Sequence, residues 1–277
     1  MSFSVNTNVG AMIALQNLST TQSQLQTTQN RVSTGLAISS AKDNAAVYAI
    51  AQNQRATSNA LNSVISSLQR GQSTVDVALS AGNSVSDLLT QMKALALSAA
   101  DTTLDTTSRS ALNDEFTSLR DQITKVTGNA VFNGANLIKS GGATIQALAN
   151  SDASSVITVA AQDLSLGGSV LGTALSATAT INTVASASAM ISTLNTAIAN
   201  VSSALGKLGT GDKALASHMT FIQDLQNTID AGVGNLVDAD LAKESANLQA
   251  LQTKQQLGVQ ALSIANQSSS ILLGLFK

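Results

Sequence analysis

From Lys42 to about Ser98 the apolar and small residues step by three and four without a slip, and no proline interrupts the chain anywhere. Val47, Ile50, Gln54, Thr57, Leu61, Val64, Leu68, Gly71, Val75, Ala78, Gly82, Val85, Leu89, Met92 and Ala96 carry the pattern. At 1.5 Å per residue this predicts one helix about 85 Å long. A globular domain of 277 residues needs no such rod, so the sustained heptads point to coiled-coil packing. Gly71 and Gly82 on the seam weaken the helix locally but let a neighbouring backbone come close.

A second stretch, LQNLSTTQSQLQTTQNRVSTGL (15–36), shows the same spacing at Leu15, Leu18, Gln22, Leu25, Gln29, Val32 and Leu36. Its other faces hold almost nothing but Gln, Thr, Ser and Asn, and Arg31 is the only charged side chain before Lys42. A solvated surface helix normally carries Glu and Lys pairs. This one reads as a helix whose faces end up against protein, where unpaired charge would be costly and neutral polar groups are tolerated.

Short polar residues at 100–110 (ADTTLDTTSRS) break the rod. A third helix follows, with Leu112, Phe116, Leu119, Ile123 and Val126, and stops at Gly128. Residues 129–182 differ in kind. Two short apolar runs within 143–161 flank Asn150-Ser151-Asp152 and predict a hairpin, and the remainder with Gly167, Gly168 and Gly172 reads as surface loop. Helical periodicity returns at about residue 184 with Met190, Leu194, Ala197, Val201, Leu205 and Leu208. Beyond Gly209-Thr210-Gly211 a separate stripe runs through Leu215, Met219, Ile222, Gln226, Ile229, Val233 and Leu236. Gly232 and Gly234 then lead into a last helix with Leu241, Leu248, Leu251, Leu257, Ala261, Ile264, Ile271 and Leu275. The fold class is therefore mainly α, a long antiparallel helical coiled coil or bundle with a small β-hairpin region in the middle of the chain. The chain folds back on itself and brings both ends together.

No constellation for catalysis emerges. The chain has no cysteine, so thiolate nucleophiles, disulfides and cysteine metal sites are out, and a single histidine, His218, cannot build a zinc site. Gly206 to Lys213 (GKLGTGDK) imitates a phosphate loop, but Asp212 stands where the phosphate contact should begin. Asp238, Asp240 and Glu244 miss the calcium-loop pattern and suit a helix start instead. No metal, cofactor or catalytic residue is expected. A net charge of −2 with scattered Lys and Arg leaves no nucleic-acid footprint. Residues 255–276 are uncharged but too rich in Gln, Asn and Ser to span a membrane, and MSFSVNTNVG has no Sec signal character.

Four segments then carry a resemblance. SVNTNVGAMIALQNL (4–18), RVSTGLAISSAKDNAAVYAIA (31–51), TGNAVFNGANLI (127–138) and the block from Asn235 to Lys277 resemble bacterial flagellin, in the same order, and the last is similar to short alphaproteobacterial members. The large outer domains that many members insert centrally are missing. The resemblance implies a self-assembling structural subunit of the extracellular filament used for swimming, and not an enzyme. It implies that residues 1–42 and 235–277 form an inner-tube coiled coil, disordered in the free subunit and ordered on assembly. Residues 43–234 would form the outer tube, with its β region at about 129–182. The expected assembly residues are Leu15, Leu18, Leu25, Val32, Leu36, Leu248, Leu251, Leu257, Ile264, Ile271 and Leu275.

Partners implied by the resemblance are further copies or other flagellins, the flagellar export apparatus and an export chaperone, and the filament cap and hook-associated proteins, with no nucleic acid and no membrane insertion. A Ser/Thr-rich outer region at roughly 143–193 is a place where some relatives are O-glycosylated. The family's innate-receptor patch is degenerate: TQMKAL (90–95) puts Gln91 and Ala94 where recognised members have an Arg and a Glu, while Glu115 matches. A hook–filament junction protein and a membrane-active amphipathic helical protein are the rival readings.

Overall fold

The structure, a computed structural model, describes the backbone of residues 7–275 and the side chains of residues 7–267. Five helices and two strands follow in the order α1 (Val9–Thr34), α2 (Ala45–Ala99), α3 (Thr106–Asn129), β1 (Ile145–Leu148), β2 (Val156–Val159), α4 (Val184–Val237) and α5 (Leu241–Leu275). The chain divides into two compact units. One comprises the described residues up to Ala56 and from Asn227 onward, the other Thr57–Gln226.

In the terminal unit, α1 begins where the Asn8 carboxamide accepts from the Ala11 N–H at 3.0 Å. It ends at Gly35, whose φ of 72° suits a residue without Cβ and whose N–H reaches the Arg31 carbonyl at 2.9 Å. The chain then crosses to α4: the Ala37 N–H donates to the Val237 carbonyl at 2.7 Å, and the Ala239 N–H to the Gly35 carbonyl at 2.8 Å. A small core of Ala51, Val233 and Val237, with Leu36, Ile38, Val47 and Ile229 against it, sits at this crossing. Asp240 starts α5 as expected, its carboxylate accepting from the N–H groups of Ala242 (3.0 Å) and Lys243 (3.1 Å).

In the central unit, α2 and α4 run antiparallel. Gly71 lies against Leu215 and Gly82 against Leu205, and the Gln226 carboxamide donates to the Ser58 carbonyl at 3.2 Å. α3 returns along α2 after a turn that the buried Arg109 closes by donating to three backbone carbonyls, Ala99 (2.9 Å), Asp101 (2.9 Å) and Leu104 (3.0 Å). The hairpin pairs β1 with β2 antiparallel, Ile145 opposite Val159 and Leu148 opposite Val156. It lies across both long helices: Ala147 and Ile145 meet α2 at Gly71, and Val159 meets α4 at Gly211.

Four sequence expectations are corrected. α4 is one helix from Val184 to Val237, running through Gly209-Thr210-Gly211 and through Gly232 and Gly234. Each glycine costs about 1 kcal/mol of helix propensity, and tight burial of Leu208, Leu215 and Val233 on either side outweighs that. The start of α2 turns a different face inward: Ile50 is 51% exposed and Ala51 1%, and Ser58 rather than Gln54 or Thr57 is buried. At the other end of α4, Val237 is buried where Leu236 was expected. Residues 162–182 form no strand or helix, yet they are more than a surface loop, because Leu164, Leu171, Leu175 and Ile181 plug into the core.

Candidate assembly surfaces

The α1–α5 pair is antiparallel in one constant register. From one end to the other, the Asn8 carboxamide donates to the Ala265 carbonyl at 2.8 Å, Leu18 packs on Gly258, and the Gln255 carboxamide donates to that of Gln22 at 3.4 Å. Arg31 meets Glu244 at 3.2 Å, and Leu36 bridges to Asp238. A Cβ at position 258 would sit 3.2 Å from Leu18 Cδ1, so the glycine sets how closely the helices approach there.

On α1 the covered positions are Ala11, Ala14, Leu18, Thr21, Leu25, Thr28 and Val32, alternating steps of three and four. On α5 they are Glu244, Leu248, Leu251, Gln255, Gly258, Leu262 and Ala265. Of the expected residues, Leu25 and Leu251 are buried in this seam, and Leu18, Val32 and Leu248 are half-buried in it. Leu36 is half-buried too, but packs on the small core beside it. Leu15, Gln22 and Gln29 are exposed, which corrects their place in the seam, and Leu257 and Ile264 are exposed as well. The side chains of Ile271 and Leu275 lie outside the described residues. Half of the seam is thus Ala, Thr, Gly and Gln. Its signal in the sequence was the unbroken three-four spacing of those residues, not their hydrophobicity.

Electrostatically the terminal pair is nearly bare. Arg31 and Glu244 form its ion pair, with 36% and 11% of the side chains exposed, and the Arg31 Nε is buried without a partner. Among the described residues no group of His, Asp and Glu is placed to hold a metal ion, and no helix is long and apolar enough to cross a membrane. His218 on α4 is tied to the hairpin, its Nε2 donating to the Ala149 carbonyl at 2.7 Å. Gln91 and Ala94 on α2 and Glu115 on α3 are exposed.

The bacterial flagellin N-terminal helical region matches residues 5–143, and the bacterial flagellin C-terminal helical region matches residues 191–276. The chain belongs to the bacterial flagellin family. It is 56% identical to flagellin FljO of Caulobacter vibrioides over 274 residues, covering 99% of this chain and 98% of that one. It is 45% identical to flagellin FljJ of the same organism over 280 residues, covering 100% and 99%. It is 36% identical to a flagellin of Brucella melitensis over 283 residues, covering 99% of each. As a flagellin it is a structural subunit of the extracellular bacterial flagellar filament and not an enzyme, and its principal partner is its own kind.

Proposed function

We propose that this flagellin polymerises through the α1–α5 pair: residues 1–42 and 235–277 form the inner layer of the filament, and residues 43–234 the outer one. The observation that carries the reading is that α1 and α5, from opposite ends of the chain, hold one antiparallel register while Met12, Ile13, Leu15, Leu257 and Ile264 are left uncovered on them. Large apolar side chains left on an otherwise neutral helix are what association with further protein removes from water. The seam itself is thin, because small and polar residues fill half of it. Such a pair gains little burial when alone, so it orders together with its neighbours. Export through the flagellar apparatus with a chaperone, and contacts with the cap and hook-associated proteins, belong to this reading.

The test is seeded growth. Purified full-length chain and a chain lacking residues 1–42 are each added to short filament seeds and followed by sedimentation and electron microscopy. Long tubes from the full-length chain alone are the expected result, and equal growth by the truncated chain would remove the role given to the terminal pair.

A further inference from the structure

Between α3 and β1 the chain carries its one Asn-Gly pair, Asn133-Gly134. Phe132 and Ala135 exchange both backbone hydrogen bonds at 2.9 Å, so these two residues are the whole loop of a miniature hairpin. Both have positive φ, 47° at Asn133 and 81° at Gly134, which marks a type I′ turn. Both are exposed, and among the described residues neither the Asn133 carboxamide nor the Gly134 N–H has a hydrogen-bond partner. A Cβ built at Gly134 would meet nothing within 4 Å, so no neighbour hems in the turn there.

We propose that Asn133 is a site of spontaneous deamidation, where this chain converts to isoaspartate and aspartate as it ages. Gly134 N gives up its proton to hydroxide and bonds to Asn133 Cγ. The Cγ–Nδ2 bond breaks, ammonia leaves with a proton from water, and a five-membered imide remains. Water then opens the imide. Cleavage between Cγ and N returns aspartate, whereas cleavage between the Asn133 backbone carbonyl carbon and N leaves the chain running through Cβ and Cγ, as isoaspartate. No electrons are gained or lost.

The turn selects this asparagine. Ring closure needs Gly134 N to eclipse Asn133 Cβ, and for an L-residue that is the ψ of about −120° found at the first central position of a type II′ turn. Types I′ and II′ both have positive φ at that position and both suit the twist of a hairpin. Asn133 already holds the positive φ that other side chains resist, so a flip of the Asn133–Gly134 peptide alone closes the distance, and glycine accepts either φ. The Phe132–Ala135 pairing need not open. Exposed asparagines inside helices, such as Asn30 and Asn62, have the next nitrogen held out of the eclipsed position by helical ψ. In the turn of the larger hairpin, Asn150 precedes Ser151 and both ends of its carboxamide are engaged, Nδ2 donating to the Ser154 hydroxyl at 2.8 Å and Oδ1 accepting from the Ser155 N–H at 3.1 Å. Asn136 is buried, and its carboxamide donates to the Thr127 carbonyl and accepts from the Ile138 and Lys139 N–H groups.

Conversion adds a negative charge to a chain whose formal net charge is −2. The isoaspartate product also puts an extra carbon into a two-residue loop and breaks the Phe132–Ala135 pairing, while Asn136 still anchors the chain that follows. A subunit of an extracellular filament is not resynthesised in place, so the modification records the age of each copy.

Trypsin cuts after Lys125 and Lys139 and releases Asn129, Asn133 and Asn136 in one peptide. Folded full-length chain is held at neutral and at mildly alkaline pH, beside a sample unfolded in urea, and digested at intervals. Electron-transfer fragmentation locates a gain of one mass unit and separates isoaspartate from aspartate. The expected result for the folded chain is a gain at Asn133 and not at Asn129, Asn136 or Asn150, faster at the higher pH, with isoaspartate among the products. An Asn133 that stays intact in the folded chain would overturn the proposal, and conversion confined to the unfolded sample would show that the turn protects it. Aspartate without isoaspartate would overturn it too, because direct hydrolysis needs no imide.

Discussion

Arg31 and Glu244, 213 positions apart in the chain, meet at 3.2 Å where the last turn of α1 faces the first turn of α5, and lock that end of the terminal seam. A partly buried ion pair adds little net stability over an apolar pair of the same shape, but removing one member leaves the other stranded. Its use here is register, since a slip of α1 by one turn would strand both. We therefore expect E244A to weaken the α1–α5 pair by about 1–3 kcal/mol. Replacing both residues by Met should return most of that stability. Hydrogen exchange of the α1 amides in assembled filaments reads the difference: faster exchange for E244A, and near-normal exchange for the double variant. Equal protection in E244A would show that the pair is ornamental.

The glycines of α4 separate packing from propensity. A Cβ at Gly209 meets nothing within 4 Å, so G209A should gain about 0.5–1 kcal/mol from helix propensity. A Cβ at Gly211 would sit 2.8 Å from Val159 Cγ1 and 3.0 Å from Cγ2, on a stiff β-branched side chain held in a strand. G211A should therefore lose about 1–3 kcal/mol to overpacking despite the same propensity gain. Thermal unfolding of the full-length chain should move in opposite directions for the two variants.

Arg109 fixes the turn between α2 and α3 by giving the carbonyls of Ala99, Asp101 and Leu104 a partner. R109A would leave these acceptors short of donors and should cost about 2–4 kcal/mol. R109K should recover only part of this, because an ammonium cannot reproduce the planar fork. Urea unfolding of the two variants orders them, and full recovery by lysine would mean that charge alone matters at this turn.

The exposed positions Gln91, Ala94 and Glu115 carry the expectation of weak innate-receptor signalling. An Arg and a Glu of the recognised pattern are missing, and loss of charged contacts weakens complementarity. In a reporter-cell assay the chain should signal poorly and the Q91R/A94E variant more strongly. A strong response from the unmodified chain would refute this.

How much of this was legible in the sequence depends on side-chain size. Leu18, Leu25, Leu248 and Leu251 stood out because a large aliphatic at heptad spacing has few other uses. Ala14, Thr21, Thr28 and Gly258 share the seam equally but resemble surface residues, so Leu15 and Gln22 were preferred in their place. The hairpin is visible because two short apolar runs flank a turn at Asn150-Ser151-Asp152. Leu164, Leu171, Leu175 and Ile181 have no period at all; what buries them is tertiary packing of an irregular loop, which local pattern does not encode. The continuity of α4 was hidden for the opposite reason: its glycines are a strong local signal that distant packing overrides.

Asp212 gives the central unit its own pH dependence. It follows the glycine pressed against Val159 and is half-buried on α4, and its Oδ1 has no partner. Burial, then the nearby Asp76 carboxylate on α2, push its carboxyl above the usual range, and a hydrogen bond with Gln72 offsets this only in part. A carboxyl with a folded pKa above its unfolded one favours folding while it is protonated. That contribution is complete below the unfolded value and is lost as pH rises through the folded one. Asp43, Asp101, Asp105 and Asp152 have lowered values, chiefly from the backbone N–H groups they accept, and act in the reverse sense, losing their contribution as pH falls. At neutral pH D212N, which keeps the shape and removes the charge, should therefore melt higher than the unmodified chain. The gap should narrow as the pH is brought down through the folded value and close only below the unfolded one, where Asp212 is neutral in both states. Melting curves across pH 4 to 8 decide it: a gap that stays constant would assign the gain to the amide's own hydrogen bonds and not to relief of the buried charge.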